Sequence, residues 1–200
     1  MSRSSEAAAH KPPAIGVTGV ENSKLCMWWF LASEIMMFAG LIGSYVALKA
    51  ANGVVVEESA AELNWRFATL NTFVLITSSA TMALGVGSIK QGKAAQLRMF
   101  LLCTILLGCA FLGIKSMEYS QKFHHHIYPS TNIFFSCYFL LTGLHALHVI
   151  IGVILIAGVL LKSFSGKYSA IHHDTVENVG LYWHLVDVVW IFLFPLFYLV

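Results

Sequence analysis

Five long apolar runs alternate with short polar segments along the chain, at about residues 25–48, 67–89, 99–119, 133–161 and 178–200. The fourth is the most uniform. No Asp, Glu, Lys or Arg stands between Lys122 and Lys162. At about 1.5 Å per helical residue, each run suffices to cross a hydrocarbon core of roughly 30 Å. Spanning segments must satisfy their own backbone hydrogen bonds, so the pattern predicts an all-α integral membrane bundle of five transmembrane helices. They form one domain, residues 24–200, behind a polar tail, residues 1–23, that carries Pro12-Pro13. The polar segments read as loops: Ala50 to Trp65 with Glu57, Glu58 and Glu62, a basic turn from Lys90 to Arg98, a loop with His124-His125-His126 and Pro129, and one from Lys162 to Glu177 with His172-His173-Asp174.

Composition agrees with a membrane domain, at 58% hydrophobic and 11% charged residues. A net charge of +2 with no basic stripe excludes a nucleic-acid-binding class. Instead, Lys and Arg fall mostly in the gaps between apolar runs, where they determine topology. With five spans the amino terminus shares a side with the second and fourth loops. That side holds Arg3, Lys11, Lys24, Lys90, Lys93, Arg98, Lys162 and Lys167; the other holds Lys49, Arg66, Lys115 and Lys122. The positive-inside rule therefore puts the amino terminus inside and the carboxyl terminus outside. The tail lacks the apolar core of a signal peptide and reads as a retained cytoplasmic segment. Cys26, Cys103, Cys109 and Cys137 lie in or beside apolar runs with no CxxC pair, and read as small packing residues.

Five ionisable residues stand deep inside the runs: Glu34 in the first, His145 and His148 in the fourth, His184 and Asp187 in the fifth. Charged or unpaired polar groups are costly at that depth, so these residues should face the bundle interior and find partners. Glu34 is expected to pair with His148 or His145, and His184 with Asp187 at i, i+3. Lys115 and Glu118, also i, i+3, are expected to form an interfacial ion pair at a helix end. The second run has no charge but carries Asn71, Thr72, Thr77, Ser78, Ser79 and Thr81, which suit close approach and hydrogen bonding between helices.

Three functional classes compete for this set. A haem needs imidazoles facing each other across a pocket, and His145 and His148 share one helical face, leaving only His184 opposite. A metal needs three or four converging ligands, which Glu34, His145 and His148 could supply. The third reading is a structural polar cluster joining the helices. Glu34 and Asp187 as proton carriers in a small transporter would be a further class, but no proline breaks the first four runs. The loop histidines fall on opposite membrane faces and read as solvated or interfacial.

Four blocks, in this order, resemble the haem–copper oxidase subunit III family, cytochrome c oxidase subunit III in particular. They are Met27-Trp28-Trp29-Phe30-Leu31-Ala32-Ser33-Glu34 with Phe38-Ala39-Gly40, then Phe111 to Tyr119 (FLGIKSMEY), Thr142 to Gly152 (TGLHALHVIIG), and Tyr182 to Phe194 (YWHLVDVVWIFLF). The resemblance covers Lys24 to Val200. The chain differs from the seven-helix mitochondrial form in lacking its first two helices and in having Lys115 where that form has glutamine, as in shorter bacterial relatives. The resemblance implies an accessory subunit of a proton-pumping terminal oxidase in a bacterial inner membrane, with no catalytic residues, metal or haem of its own. Haem and copper would reside in partner subunits, the catalytic subunit I among them. It also implies bound structural phospholipid and support for proton uptake and sustained turnover. The same five-helix form occurs with quinol oxidases and nitric oxide reductases, leaving the electron donor open.

Overall fold

The computed structural model describes residues 22–166, 168–169 and 172–199. The tail expected over residues 1–23 lies outside them except for its last two residues, which begin the first helix. All regular structure among the described residues is α-helical: α1 (Asn22–Ala51), α2 (Gly53–Ala61), α3 (Trp65–Lys90), α4 (Ala94–His124), α5 (Ile133–Phe164) and α6 (Asp174–Tyr198). Five of the six, all but α2, are long and apolar enough to cross a membrane. Each extends beyond its apolar run by one to five residues at one or both ends, α6 excepted at its carboxyl end, because a helix need not stop where the hydrocarbon does.

The loop expected between residues 50 and 65 is the main departure. It contains α2, a nine-residue helix that buries Val56, Ser59 and Ala60. Asn132 explains how so short a helix is held. Its Oδ1 accepts from the Phe135 amide at 2.9 Å, capping α5, while its Nδ2 donates to Ser59 Oγ at 2.8 Å. Lys122 Nζ then donates to the Glu62 carbonyl at 2.6 Å, satisfying an acceptor just past the end of α2. At the opposite end of the molecule the α3–α4 turn is closed by Gly92, whose φ of +76° is open to glycine but strained for other residues.

Contacts establish which helix ends share a face. Lys24 at the start of α1 lies 3.2 Å from both Asp174 and Glu177 at the start of α6, and Lys90 at the end of α3 lies 2.6 Å from Glu177. Arg98 near the start of α4 donates to the Ser163 carbonyl near the end of α5 at 2.9 Å. This is the Lys24 face. The ends joined by Lys122 and Asn132 form the Lys122 face. His124 to His126 therefore sit at one end and His173 at the other, too far apart to make one site.

Inside the bundle α6 is the central helix, packed on α1, α3 and α5. Trp183 and Trp190 are fully buried along it. Trp183 lies over Gly108 of α4 and Gly152 of α5, where a Cβ would come within 2.9 Å and 2.7 Å of its ring. Two glycines thus let three helices close on one indole, the close-packing logic of helices in lipid. The outer face of α1 is apolar and open, with Trp29 at 72% and Met36 at 75% exposure. Such a surface suits hydrocarbon or another subunit rather than water.

Candidate functional site

The deep ionisable residues occupy three settings within the bundle. The first joins α1, α5 and α6. Glu34 Oε2 and His148 Nε2 are 2.9 Å apart, the contact expected of Glu34, with His148 as the imidazole. His148 Nδ1 lies 2.8 Å from the Leu144 carbonyl, which can only accept, so Nδ1 carries a proton. Nε2 and Glu34 then hold one further proton between them, either as imidazolium and carboxylate or as neutral imidazole and acid. Either way the pair is neutral. Phe38 meets the His148 ring edge-on at 5.2 Å, and Tyr182 of α6 donates to the His148 carbonyl at 3.1 Å.

His145 does not join this pair. One helical turn away it is fully enclosed between Phe111 and Trp190, with ring centroids 5.6 Å and 5.2 Å distant. Neither of its ring nitrogens meets a hydrogen-bond partner.

The second setting is built on Lys115 and Glu118. Lys115 Nζ donates to Glu118 Oε2 at 3.0 Å, Tyr138 Oη at 3.0 Å and Tyr198 Oη at 2.7 Å, which uses all three ammonium hydrogens. Both tyrosines in turn donate to Glu118 Oε1, at 2.9 Å and 2.6 Å. The ammonium also sits about 5 Å from the Tyr138, Trp190 and Tyr198 ring centroids, within cation–π range. The expected pair forms, but it is enclosed by protein rather than solvated: both side chains are only 3% exposed. The reason is that α4 continues past Tyr119 to His124, while Tyr138 of α5 and Tyr198 of α6 close over the pair.

The third setting lies between α3 and α6. His184 Nδ1 is 2.7 Å from Ser79 Oγ, so the local pair expected between His184 and Asp187 does not form. Asp187 is 4% exposed, and neither of its oxygens has a partner in hydrogen-bond geometry. Ser79 nevertheless lies near enough to interact with its carboxyl. The physical reason is competition: a hydroxyl on the facing helix reaches His184 in a better orientation than a side chain three residues along the same helix. Around this site the small polar residues of α3 serve as expected. Ser78 Oγ accepts from Trp183 Nε1 at 2.8 Å, Thr72 Oγ1 accepts from Trp190 Nε1 at 3.0 Å, and Thr81 meets Thr104 of α4 at 2.8 Å.

Among the described residues no three of His, Cys, Asp and Glu converge in a metal-binding arrangement, and the three ligands considered above, Glu34, His145 and His148, do not meet as a set. The four cysteines are unpaired and at least partly exposed. Sequence reasoning did not single out Tyr138 and Tyr198, and it named Ser79 only among several small polar residues of the second run, without its partner. A tyrosine or serine in an apolar run is common enough that only its partner marks it, and those partners are 20 or more residues away.

A family profile described as "Cytochrome c oxidase subunit III" matches residues 14–200. Cytochrome c oxidase subunit 3 of Thermostichus vulcanus is 36% identical over 192 residues, covering 96% of this chain and 90% of that protein. The protein of the same name from Synechocystis is 39% identical over 171 residues, 85% of this chain and 72% of that protein. Quinol oxidase subunit 3 of Bacillus subtilis is 34% identical over 177 residues, 88% of this chain and 85% of that protein.

Proposed function

The chain belongs to the cytochrome c oxidase subunit III family, and on that premise we propose that it is an accessory, non-catalytic subunit of a respiratory terminal oxidase in a bacterial inner membrane. The observation that carries this reading is the match itself, which runs over nearly the whole chain and nearly the whole length of relatives named as subunits of such oxidases. The geometry supports it. Most of the interior ionisable groups are bound to each other in neutral pairs, Glu34 with His148 and Lys115 with Glu118, as suits a framework. The open apolar face of α1, with Trp28, Trp29, Ile35 and Met36 exposed, would meet a catalytic partner subunit or phospholipid. Haem and copper would belong to partner subunits, and this chain would stabilise them and support proton uptake and sustained turnover. Relatives carry the names of both cytochrome c and quinol oxidases at similar identity. On this reading the electron donor is selected elsewhere in the complex.

Purification of the intact complex through a tag on this chain tests the proposal. A haem–copper catalytic subunit should co-purify in equal amount, and removal of this chain should leave initial turnover but shorten its duration. Purification of the chain alone from its native membrane, with no haem protein attached under mild detergent, would overturn it.

A further inference from the structure

We propose that Asp187 is a proton-exchange site connected to the aqueous phase on the Lys24 face through His184 and Ser79. A groove of about 350 Å³ opens between α3 and α6, lined among others by Lys90, Glu177, Gly180 and His184. Its rim carries the ion pairs of Glu177 with Lys24 and Lys90, so water and exchangeable protons reach it from the helix ends. Its inner wall includes His184, half-buried, whose Nδ1 is bonded to Ser79 Oγ at 2.7 Å. One helical turn further in stands Asp187, with both oxygens buried and free to take a proton. Three groups that can each accept and release a proton are thus lined up from the groove to the buried carboxyl, with the Ser79 hydroxyl as the link.

The transfer balances without a co-reactant. Water in the groove delivers a proton to His184 Nε2, and the hydrogen on Nδ1 passes to Ser79 Oγ. The Ser79 hydroxyl proton passes in turn to an Asp187 oxygen, so one N–H bond breaks as one O–H bond forms at the carboxyl. His184 is left neutral with its hydrogen on Nε2, and Asp187 becomes the neutral acid. Release runs the same path in reverse. The other titratable groups on the packed elements are bound elsewhere or uncharged partners. On α5, His148 shares its proton with Glu34 of α1, and His145 lies between aromatic rings. Lys115 of α4 is bound to Glu118. On α3 the charges Arg66 and Lys90 stand at the two ends, and α2 contributes only the exposed Glu57 and Glu58. No cation forms an ion pair with Asp187 among the described residues.

Infrared difference spectroscopy on the intact complex tests this directly. The carbonyl stretch of a protonated carboxylic acid should grow as the medium is acidified, shift on transfer to heavy water, and vanish in Asp187→Asn. Ser79→Ala and His184→Phe should keep the band but slow its hydrogen–deuterium exchange by about tenfold, the factor expected for losing a link near the upper end of a hydrogen bond's net strength. Where Asp187→Asn fails to assemble, Asp187→Glu should displace the band instead. The proposal is overturned if no acid band depends on Asp187 at any pH at which the complex stays folded, or if exchange is as fast in both relay variants as in the unmodified complex.

Discussion

Replacing Gly152 by alanine adds one methyl group at the point where α4, α5 and α6 converge. Its Cβ would stand 2.7 Å and 2.8 Å from Trp183 Cε3 and Cζ3, and 3.3 Å from Tyr182 Cε1. Real Cβ atoms do not approach ring carbons that closely, so the indole or the helix must move. The indole is held on its far edge by Nε1–H donating to Ser78 Oγ at 2.8 Å, and Gly108 on α4 leaves no slack, because its own Cβ position is 2.9 Å from Trp183 Cη2. Overpacking of this kind costs about 1–3 kcal/mol, and breaking the buried hydrogen bond adds about 1 kcal/mol. Gly152→Ala should therefore destabilise the bundle by about 2–4 kcal/mol. Gly158, on the same helix, has no atom within 4 Å of its Cβ position, and Gly113 on α4 has none either. Alanine at these two should be neutral, or stabilise by up to about 1 kcal/mol through reduced backbone freedom. Unfolding of the purified complex in mixed micelles, titrated with a denaturing detergent and followed by tryptophan fluorescence, compares the three variants with the unmodified complex. Equal midpoints for Gly152→Ala and Gly158→Ala would refute the packing argument.

Glu34→Gln should keep the contact to His148, its amide donating to Nε2, while Glu34→Ala leaves that nitrogen unpaired and costs about 1–3 kcal/mol in the same detergent titration. Lys115→Met should cost about 3–5 kcal/mol by stranding the Glu118 carboxylate, whereas Lys115→Met combined with Glu118→Leu should recover much of that loss; a double-mutant cycle on thermal stability reads the difference. Glu177→Gln, which removes ion pairs exposed at the Lys24 face, should cost at most about 1 kcal/mol, less as salt is raised, when melting is measured over a range of ionic strength.

The membrane-spanning helices were legible because a bilayer demands about twenty apolar residues in a row, a signal that needs no tertiary context. Only α2 escaped this reasoning. Its trace was there in Val56 and Ala60, spaced i, i+4 and both buried, but nine residues carrying Glu57 and Glu58 resemble a polar loop. The site was legible to the extent that cost at depth forces pairing. That argument located Glu34 opposite the α5 histidines, and the choice of His148 over His145 depended on a helix rotation that spacing does not supply. The i, i+3 rule named the Lys115–Glu118 contact but missed its enclosure, since Tyr138 and Tyr198 arrive from 23 and 83 residues away. The same rule failed for His184 and Asp187, where Ser79, 105 residues distant, offered His184 a better partner.

What separates these settings is how completely they are satisfied. Around Lys115 every ammonium hydrogen and both tyrosine hydroxyls are used, and the summed charge is zero. Glu34 and His148 hold one proton in common and are likewise neutral. Polar clusters that only bind helices together tend toward this condition, because each unsatisfied atom in a low-dielectric interior is expensive. His145 and Asp187 depart from it, with four buried polar atoms lacking partners between them, and so does Asn71 of α3 with both side-chain polar atoms. Of these, Asp187 lies one turn beyond His184, which lines an open groove, and on the proposal above this is the route by which its proton changes. A framework residue in that position would be served as well by asparagine or leucine. If the carboxyl serves only to join helices, Asp187→Asn should leave every proton-dependent property of the complex unchanged.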